Sequence, residues 1–264
     1  MRKVILIIAA CLVLLGAAVA IIAFTLGANT SIYWDRGFHI DRGGSAGTDL
    51  DEALSPFNRI DLSAGVANVT IRPGDGYRLE GHYHGTLTHE VRDGRLILDL
   101  RERSGRSWFN IGTRGGSRTS HLILTIPADT VLEGELNLGV GTVRTQQVDL
   151  YNVTITSGVG DIHVDGALGG INRIESGVGN VYVDGSLTGR SRIESGVGNV
   201  EITAHGGARE QVSYTISAGV GNITIDGTRQ GGALGNSLSH TAADPLVTLQ
   251  LESGVGNVVL NFRG

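Results

Sequence analysis

The chain has 264 residues, of which 41 are glycine and only four are proline, and its net charge is −5. A chain of this charge is not expected to bind the nucleic-acid backbone, and glycines that recur at regular intervals indicate turns and not disorder. Cys11 is the only cysteine, which excludes an intrachain disulfide.

An apolar segment follows a stub of three residues, 1–3, that we expect in the cytoplasm. Residues 4–27 form an uncharged run of 24 residues, which is long enough to span a bilayer. Arg2 and Lys3 precede this run, and basic residues at that position predict a cytoplasmic N-terminus with the remainder of the chain outside. We interpret residues 4–27 as an uncleaved transmembrane signal anchor.

Two processing signals within this segment are alternatives to an uncleaved anchor. The run from Ile8 to Cys11 resembles a bacterial lipobox, which would make the chain a lipoprotein acylated at Cys11. The triplet from Ala18 to Ala20 resembles a signal-peptidase site. Either event would leave an apolar stretch near the start of the mature chain, and this favours the anchor.

Residues 28–56 have no hydrophobic period and are predicted to form a flexible tether between the membrane and a folded domain. Residues 43–47 match the G-x-S-x-G pattern of serine hydrolases. That pattern needs a strand before the serine and a helix after it. A glycine-rich tether offers neither, so we interpret the match as part of the tether.

The domain from residue 57 to residue 264 begins with a less regular half. Residues 77–84, 95–100 and 121–126 are each predicted to be strands. Residues 101–118, between the last two, hold five arginines, one glutamate and two aromatic residues in an otherwise acidic protein. The candidate contact residues are Arg101, Arg103, Arg106, Trp108, Phe109, Arg114 and Arg118.

Guanidinium groups in this segment suit phosphate or carboxylate, and tryptophan suits sugar faces or headgroups. Long loops in compact domains are often functional. We therefore predict a loop that contacts an anionic envelope polymer or the membrane surface. A solvated hairpin tip, with its aromatic residues packed on the domain, is the alternative interpretation.

A repeat built on Gly-Val-Gly-Asn dominates the domain. Its first glycine recurs at positions 65, 139, 158, 177, 196, 219 and 254. Three steps are 19 residues long, the last two are 23 and 35, and the step from 65 to 139 is 74. A repeat of this length predicts coils stacked along an axis, and the step of 74 predicts about four coils with degenerate sequence.

Four columns of this repeat are apolar in nearly every copy. In the copy at Gly177 they are Ile174, Val178, Val181 and Val183. β-Branched residues that alternate with polar ones indicate strands with one buried face. We predict an all-β domain, a parallel β-solenoid of about 19-residue coils, preceded by one N-terminal transmembrane helix. All four columns are expected to face its core.

Polar columns of the repeat are expected to stack as well. The residue after the second glycine is usually asparagine, and stacked asparagines can form hydrogen-bonded ladders. Arg173 with Glu175 and Arg192 with Glu194 are expected to form an outward charge ladder on adjacent coils. Only four residues follow the last apolar column. Residues 228–245 either fold back to cover the final coil or leave its edge open to pairing.

These segments together resemble the DUF4097 family of bacterial “putative adhesins”, which includes LiaG-like membrane-anchored proteins. The resemblance rests on the N-terminal apolar segment, the runs at 63–71 and 122–127, and the serial Ser-Gly-Val-Gly-Asn/Asp units. It implies a β-solenoid on the outer side of the membrane with no known enzymatic activity. For some relatives it implies a place beside envelope-stress signalling systems.

Metal signals in the sequence are weak. His82, His84 and His89 lie close enough along the chain to hold a metal, but no acidic or cysteine partner recurs at a suitable spacing, so a solvated strand face is preferred. Glycine-rich repeats that bind Ca²⁺ need charged oxygen ligands. The turn column here is mostly asparagine, with Asp161 its only acidic member. We expect no catalytic residue, no cofactor and no metal site.

The expected function is that of a non-enzymatic, membrane-anchored extracytoplasmic module, either adhesin-like or an envelope-stress-associated scaffold. Its expected partners are the membrane through residues 4–27, and an anionic envelope polymer, lipid headgroups or a membrane signalling protein. Two alternatives stay open. One is a polysaccharide-acting β-helix enzyme that uses clustered carboxylates, and the other is a Ca²⁺-dependent surface module.

Overall fold

A computed structural model describes residues 33–34, 38–39, 47–101, 119–206, 209–230 and 234–263. The predicted stub 1–3 and the predicted anchor 4–27 lie outside these residues. Among the residues described, no helix is long and apolar enough to cross a bilayer. The helical structure in the same ranges is one 3-10 turn, Arg209–Gln211.

The described part of the chain is mostly β-strand, as the alternation of apolar and polar residues predicts. The first eight strands are β1 Tyr33–Trp34, β2 Phe38–His39, β3 Thr48–Ala53, β4 Arg59–Gly74, β5 Arg78–Tyr83, β6 Thr86–Arg92, β7 Arg95–Arg101 and β8 Ser120–Pro127. The next seven are β9 Val131–Val140, β10 Val143–Thr145, β11 Asp149–Val159, β12 Ile162–Asp165, β13 Leu168–Gly169, β14 Ile171–Val178 and β15 Val181–Ser186. The last eight are β16 Gly189–Val197, β17 Val200–His205, β18 Val212–Val220, β19 Ile223–Ile225, β20 Thr228–Gln230, β21 Leu234–His240, β22 Val247–Val255 and β23 Val258–Arg263. The three strands predicted in the irregular half are β5, β7 and β8.

Each coil gives one strand to each of two sheets that enclose a common core. In the first sheet the parallel order is β7, β4, β9, β11, β14, β16, β22, β18. In the second sheet it is β8, β4, β10, β12, β15, β17, β23, β19. Like columns stack in register; Ile155, for example, pairs with Ile174, which pairs with Ile193. The fold is therefore an all-β, solenoid-like stack, as predicted.

A short third ladder closes the coils on the remaining side. It is formed by Leu132, Leu150, Leu168 and Leu187, which pair in parallel from coil to coil. All four leucines are buried. This column is not evident from the repeat, because it lies far from the glycine motif and its distance from that motif varies among the copies.

The interpretation of the 74-residue step as four degenerate coils is wrong. Leu62 pairs directly with Leu136, so the copies at positions 65 and 139 are neighbours in space. The residues between them form β5 to β8, and β7 and β8 pack on the opposite side of β4. The chain leaves the stack after β4, builds its N-terminal end, and returns to continue from β4.

The final coil is not at the end of the stack. Strands β22 and β23 lie between the coil of β16 and β17 and the coil of β18 and β19. Strands β20 and β21, within residues 228–245, fold back and pair antiparallel with β19 and β18, so they cap the coil of β18 and β19 and not the final coil of β22 and β23. At the other end, β6 pairs antiparallel with β7, and β3 pairs antiparallel with β5.

Three of the four predicted apolar columns form the core, and the fourth does not. The columns represented by Ile174, Val181 and Val183 are buried, but the column of Val178 is only half-buried in every copy. The column of Ser176 is buried instead. The chain turns from one sheet to the other at Val178 and Gly179, so the alternation that holds before this corner does not continue through it.

The range predicted as a tether contains three strands. Strand β3, within residues 28–56, pairs with β5 along its whole length, and β1 pairs with β2. The folded unit therefore begins before Phe57, the first residue of the predicted domain. Asp51 and Arg78 join β3 to β5 with an ion pair of 2.5 Å.

Candidate contact surfaces

The corner between the two sheets brings the backbones of successive coils unusually close. A Cβ atom placed on Gly177 would lie 2.6 Å from the carbonyl oxygen of Gly158, and the same approach recurs between Gly196 and Gly177. Beside it, the Ser176 hydroxyl donates to the carbonyl oxygen of Gly160 over 2.9 Å. Side chains next to this corner are therefore held at fixed spacing from coil to coil.

The predicted asparagine ladder is present along this corner. The side-chain oxygen of Asn180 accepts a hydrogen bond from the backbone N–H of Asn199 at 2.9 Å. Asn199 accepts in the same way from Asn257 at 2.8 Å, and Asn257 accepts from Asn222 at 3.0 Å. Asp161 starts this run by accepting from the N–H of Asn180 at 2.7 Å. The Asp161 carboxylate, the acidic group considered for Ca²⁺, is thus engaged with the next coil.

The predicted charge ladder lies on the outer face of the first sheet. Arg173 pairs in register with Arg192, and Glu175 pairs in register with Glu194. Each arginine forms an ion pair with the glutamate two residues further on. The ladder extends to the coil of β22 and β23, where Glu252 lies 3.7 Å from Arg192. These side chains are partly exposed, so the ion pairs contribute little to stability and mainly fix the position of the charges.

A second row of functional groups lies on the outer face of the second sheet. Arg144, His163, Tyr182 and Glu201 occupy successive coils at the same register position. The rings of His163 and Tyr182 are stacked, with centroids 4.7 Å apart and planes inclined by 16°. This row was not predicted, although each of its four residues stands five positions after the first glycine of a motif copy.

The environment of this row shifts two protonation equilibria. Burial lowers the pKa of His163 below its ordinary value of 6.5, the charge of Arg144 lowers it further, and Asp161 acts in the opposite direction. Burial also raises the pKa of the Tyr182 hydroxyl, with smaller contributions from Asp161 and Glu201. Near neutral pH the stack is therefore an uncharged aromatic pair between a cation and an anion.

The histidines considered for a metal site are each engaged separately. His82 Nδ1 lies 2.7 Å from Asp49 Oδ1, and its ring lies edge-on to the ring of His84 with centroids 5.0 Å apart. His89 Nε2 lies 3.2 Å from Glu52 Oε2. Within the described ranges, no group of three or more histidine, cysteine or acidic side chains is arranged to hold a metal ion.

The predicted contact loop lies mostly outside the described residues. Arg103, Arg106, Trp108, Phe109, Arg114 and Arg118 belong to the part that the structure does not describe. Arg101, the last residue of β7, forms an ion pair with Asp99 at 2.6 Å. The strands that bound the loop both pair with β4: Leu100 with Ala64 and Ser120 with Ala67. The two ends of the loop therefore leave the stack at the glycine corner.

Comparison with known proteins gives one family match and several similar structures. The model of the family described as Toastrack DUF4097 matches residues 57–258. A “putative cell adhesion protein” from Clostridium sporogenes is 16% identical with a TM-score of 0.44, over 82% of this chain and 100% of that one. A “putative adhesin” from Bacteroides fragilis is 16% identical with a TM-score of 0.35, over 82% and 98% of the two chains.

A “putative lipid binding protein” from Parabacteroides distasonis is 14% identical with a TM-score of 0.31, over 82% of this chain and 98% of that one. No curated protein matches the chain. The family model covers most of the chain and includes the whole run of glycine motifs. The chain belongs to the Toastrack DUF4097 family.

Proposed function

We propose that this protein is a non-enzymatic, membrane-anchored extracytoplasmic contact module, adhesin-like or associated with envelope stress. Its solenoid-like domain presents rows of side chains to an envelope polymer, to lipid headgroups or to a membrane signalling protein. Residues 4–27 anchor it in the membrane with the N-terminus in the cytoplasm. The segment 101–118 supplies its most basic contact surface.

The observation that carries this proposal is the register of the outward rows. Arg173 and Arg192, and likewise Glu175, Glu194 and Glu252, occupy equivalent positions on adjacent coils. Adjacent parallel strands lie about 4.8 Å apart, so these charges repeat along the axis at a fixed short interval. A rigid row of this kind suits a partner that is itself extended and repetitive, such as a polymer.

Binding by the basic segment is tested with the full chain and two soluble polyanions. We expect polygalacturonate, a polycarboxylate, and polyphosphate to shift the fluorescence of Trp108 in a Trp34→Phe background, since Trp34 is the other tryptophan. Replacing Arg103, Arg106, Arg114 and Arg118 with serine should abolish the shift. Replacing Arg229 and Arg263, which lie in the last two coils at the other end of the stack, should leave it unchanged. An unaltered emission spectrum with both polymers would refute the contact role of this segment.

The membrane topology is tested independently of any ligand. Protease added outside intact wall-free cells should degrade the domain and leave only the membrane segment protected. If the domain survives until the membrane is permeabilised, the proposed extracytoplasmic location is wrong.

A further inference from the structure

A polar groove lies on the outer face of the first sheet near its N-terminal end. It has a volume of about 400 Å³, within the range of small-molecule sites. Its polar lining comes from β4, β7, β9 and the start of β11: Arg59, Asp61, Arg95, Glu133, Glu135 and Asn152. None of these residues belongs to the charge ladder or to the predicted contact loop.

Several charged groups in this groove are placed beside groups of like charge, although Arg59 also pairs in register with Glu133. Arg59 pairs in register with Arg95, and Asp61 pairs in register with Glu135. Like charges on directly opposed positions of neighbouring strands destabilise a sheet. Within the described chain, none of the five charged side chains in the groove forms an ion pair or a side-chain hydrogen bond. Their donors and acceptors therefore remain available to a ligand.

A backbone irregularity shapes the groove and holds its amide. Asn152 adopts a φ of 52°, a left-handed conformation that asparagine tolerates better than most residues with a side chain. Its side-chain oxygen accepts a hydrogen bond from the N–H of Ile171 at 2.8 Å. This bond leaves the amide nitrogen of Asn152 without a partner among the described residues. The register between β9 and β11 shifts at the same place.

An exposed aromatic ring follows the groove along the sheet; it lies outside the groove lining, over the backbone of the next coil. Tyr151, the residue before Asn152, is 44% exposed. A Cβ atom on Gly169 would lie 3.0 Å from Cδ2 of this ring, and one on Gly170 would lie 3.1 Å from its Cε2. The ring therefore lies close over the backbone of these two glycines. Ile171, which is 72% exposed, follows these glycines and extends the apolar surface.

We infer that this groove is a binding subsite for an uncharged saccharide unit. Sugar hydroxyls both donate and accept, so they can bridge carboxylates and guanidinium groups that the protein leaves unpaired. A saccharide that extends from the groove past Asn152 can pack the apolar C–H face of one ring on the exposed Tyr151. The groove holds three carboxylates and two guanidinium groups, and this excess of negative charge disfavours binding of a polyanion. The inference rests on the proposed contact function and names the ligand class for one part of that surface.

The subsite is tested by calorimetric titration of the full chain with three tetrasaccharides: cellotetraose, chitotetraose and tetragalacturonate. We expect at least one of the two uncharged probes to bind, and tetragalacturonate not to bind at this groove. Tyr151→Ala and the shape-preserving Glu135→Gln should each weaken that binding by about tenfold or more, or about 1.4 kcal/mol. Arg229→Ala, a substitution at the far end of the stack, should leave it unchanged. Matching melting temperatures will show that each variant is folded.

Three results would overturn the inference: no binding of either uncharged probe, equal binding by the groove variants, or binding of tetragalacturonate that depends on the groove. If the polyanions still shift Trp108 fluorescence in any of these cases, the subsite is wrong and the wider contact function stands. If neither the uncharged tetrasaccharides nor the polyanions bind, both proposals fail.

Discussion

Single glycines set the spacing of the coils because they stand where the backbones approach most closely. Gly177 lies over Gly158 with room for a hydrogen atom and not for a methyl group, since a Cβ would lie 2.6 Å from a carbonyl oxygen. The atoms that such a Cβ would meet belong to the backbone of Gly158, which cannot rotate away as a side chain can. The need for glycine at position 177 therefore comes from its place in the stack and not from its backbone torsions.

Gly177→Ala should accordingly destabilise the domain by at least about 2 kcal/mol, because the coils must separate locally to admit the methyl group. Gly76→Ala is the matched control, since a Cβ there meets nothing within 4 Å. Urea unfolding of the two variants and the parent protein measures the difference. Equal midpoints for the two alanine variants would contradict the close-approach explanation.

His163 links stability to pH through its lowered pKa. The unfolded chain binds a proton near the ordinary value of 6.5, whereas the folded chain binds it only at lower pH, because burial and Arg144 disfavour the imidazolium. A group of this kind reduces the free energy of unfolding as the pH falls through 6.5. The stabilising effect of the neutral ring is complete above that value.

His163→Gln should therefore reduce the loss of stability between about pH 7.5 and about pH 5.5, because glutamine does not titrate. The free energy of unfolding of parent and variant, measured by urea titration at both pH values, gives the comparison. The other histidines contribute equally to both proteins and cancel in the difference. A variant that loses as much stability as its parent over this range would show that His163 is not responsible.

At the level of the strand, the asparagine ladder joins neighbouring coils at the corner between the sheets. The side-chain oxygens of Asn180, Asn199 and Asn257 each accept a hydrogen bond from a backbone N–H of the neighbouring coil, as Asn180 does from Asn199 at 2.9 Å. Asn180→Ala leaves that N–H without its acceptor, which should cost about 1–2 kcal/mol. Asn137→Ala is the control, because no side-chain hydrogen bond of Asn137 is present among the described residues. Denaturant unfolding that ranks the two variants alike would argue against the ladder as a stabilising element.

The strands themselves were predictable because the 19-residue period records which residues stack. Ile174, Val181 and Val183 were assigned to the core from their columns, and they are buried. Val178 was assigned with them and is only half-buried, because the corner at Gly179 changes which residues of the alternation face inward. A corner of this kind cannot be located from alternation alone, since valine is compatible with either position.

For the whole molecule, the order of the coils along the axis could not be read from the repeat. The copies at positions 219 and 254 carry the same buried columns, so either one can stack on the copy at 196. In the structure the copy at 254 occupies that place, and Leu251 pairs with both Ile193 and Ile216. When two coils are interchangeable, their order along the axis depends on the lengths of the connecting segments. These segments have no periodic pattern from which the order could be predicted. The residues of the polar groove were missed for a related reason, since they come from coils that are distant in sequence.

The intercalated final coil makes a prediction that distinguishes this fold from a simple linear stack. Removing a terminal repeat from a linear stack leaves the other interfaces intact. The free energy of unfolding falls only by the intrinsic stability of that repeat and by its one interface. Here β22 and β23 separate two other coils, and strands β18 and β19 have no other parallel neighbour within the described chain. A chain that stops after residue 245 should therefore lose the order of β18 to β21 as well. Amide hydrogen exchange should show protection lost across residues 212–240, whereas a chain lacking only its last two residues should keep it. Retained protection at Ile216 and Ile223 in the shorter chain would mean that β18 and β19 can stack directly on β16 and β17.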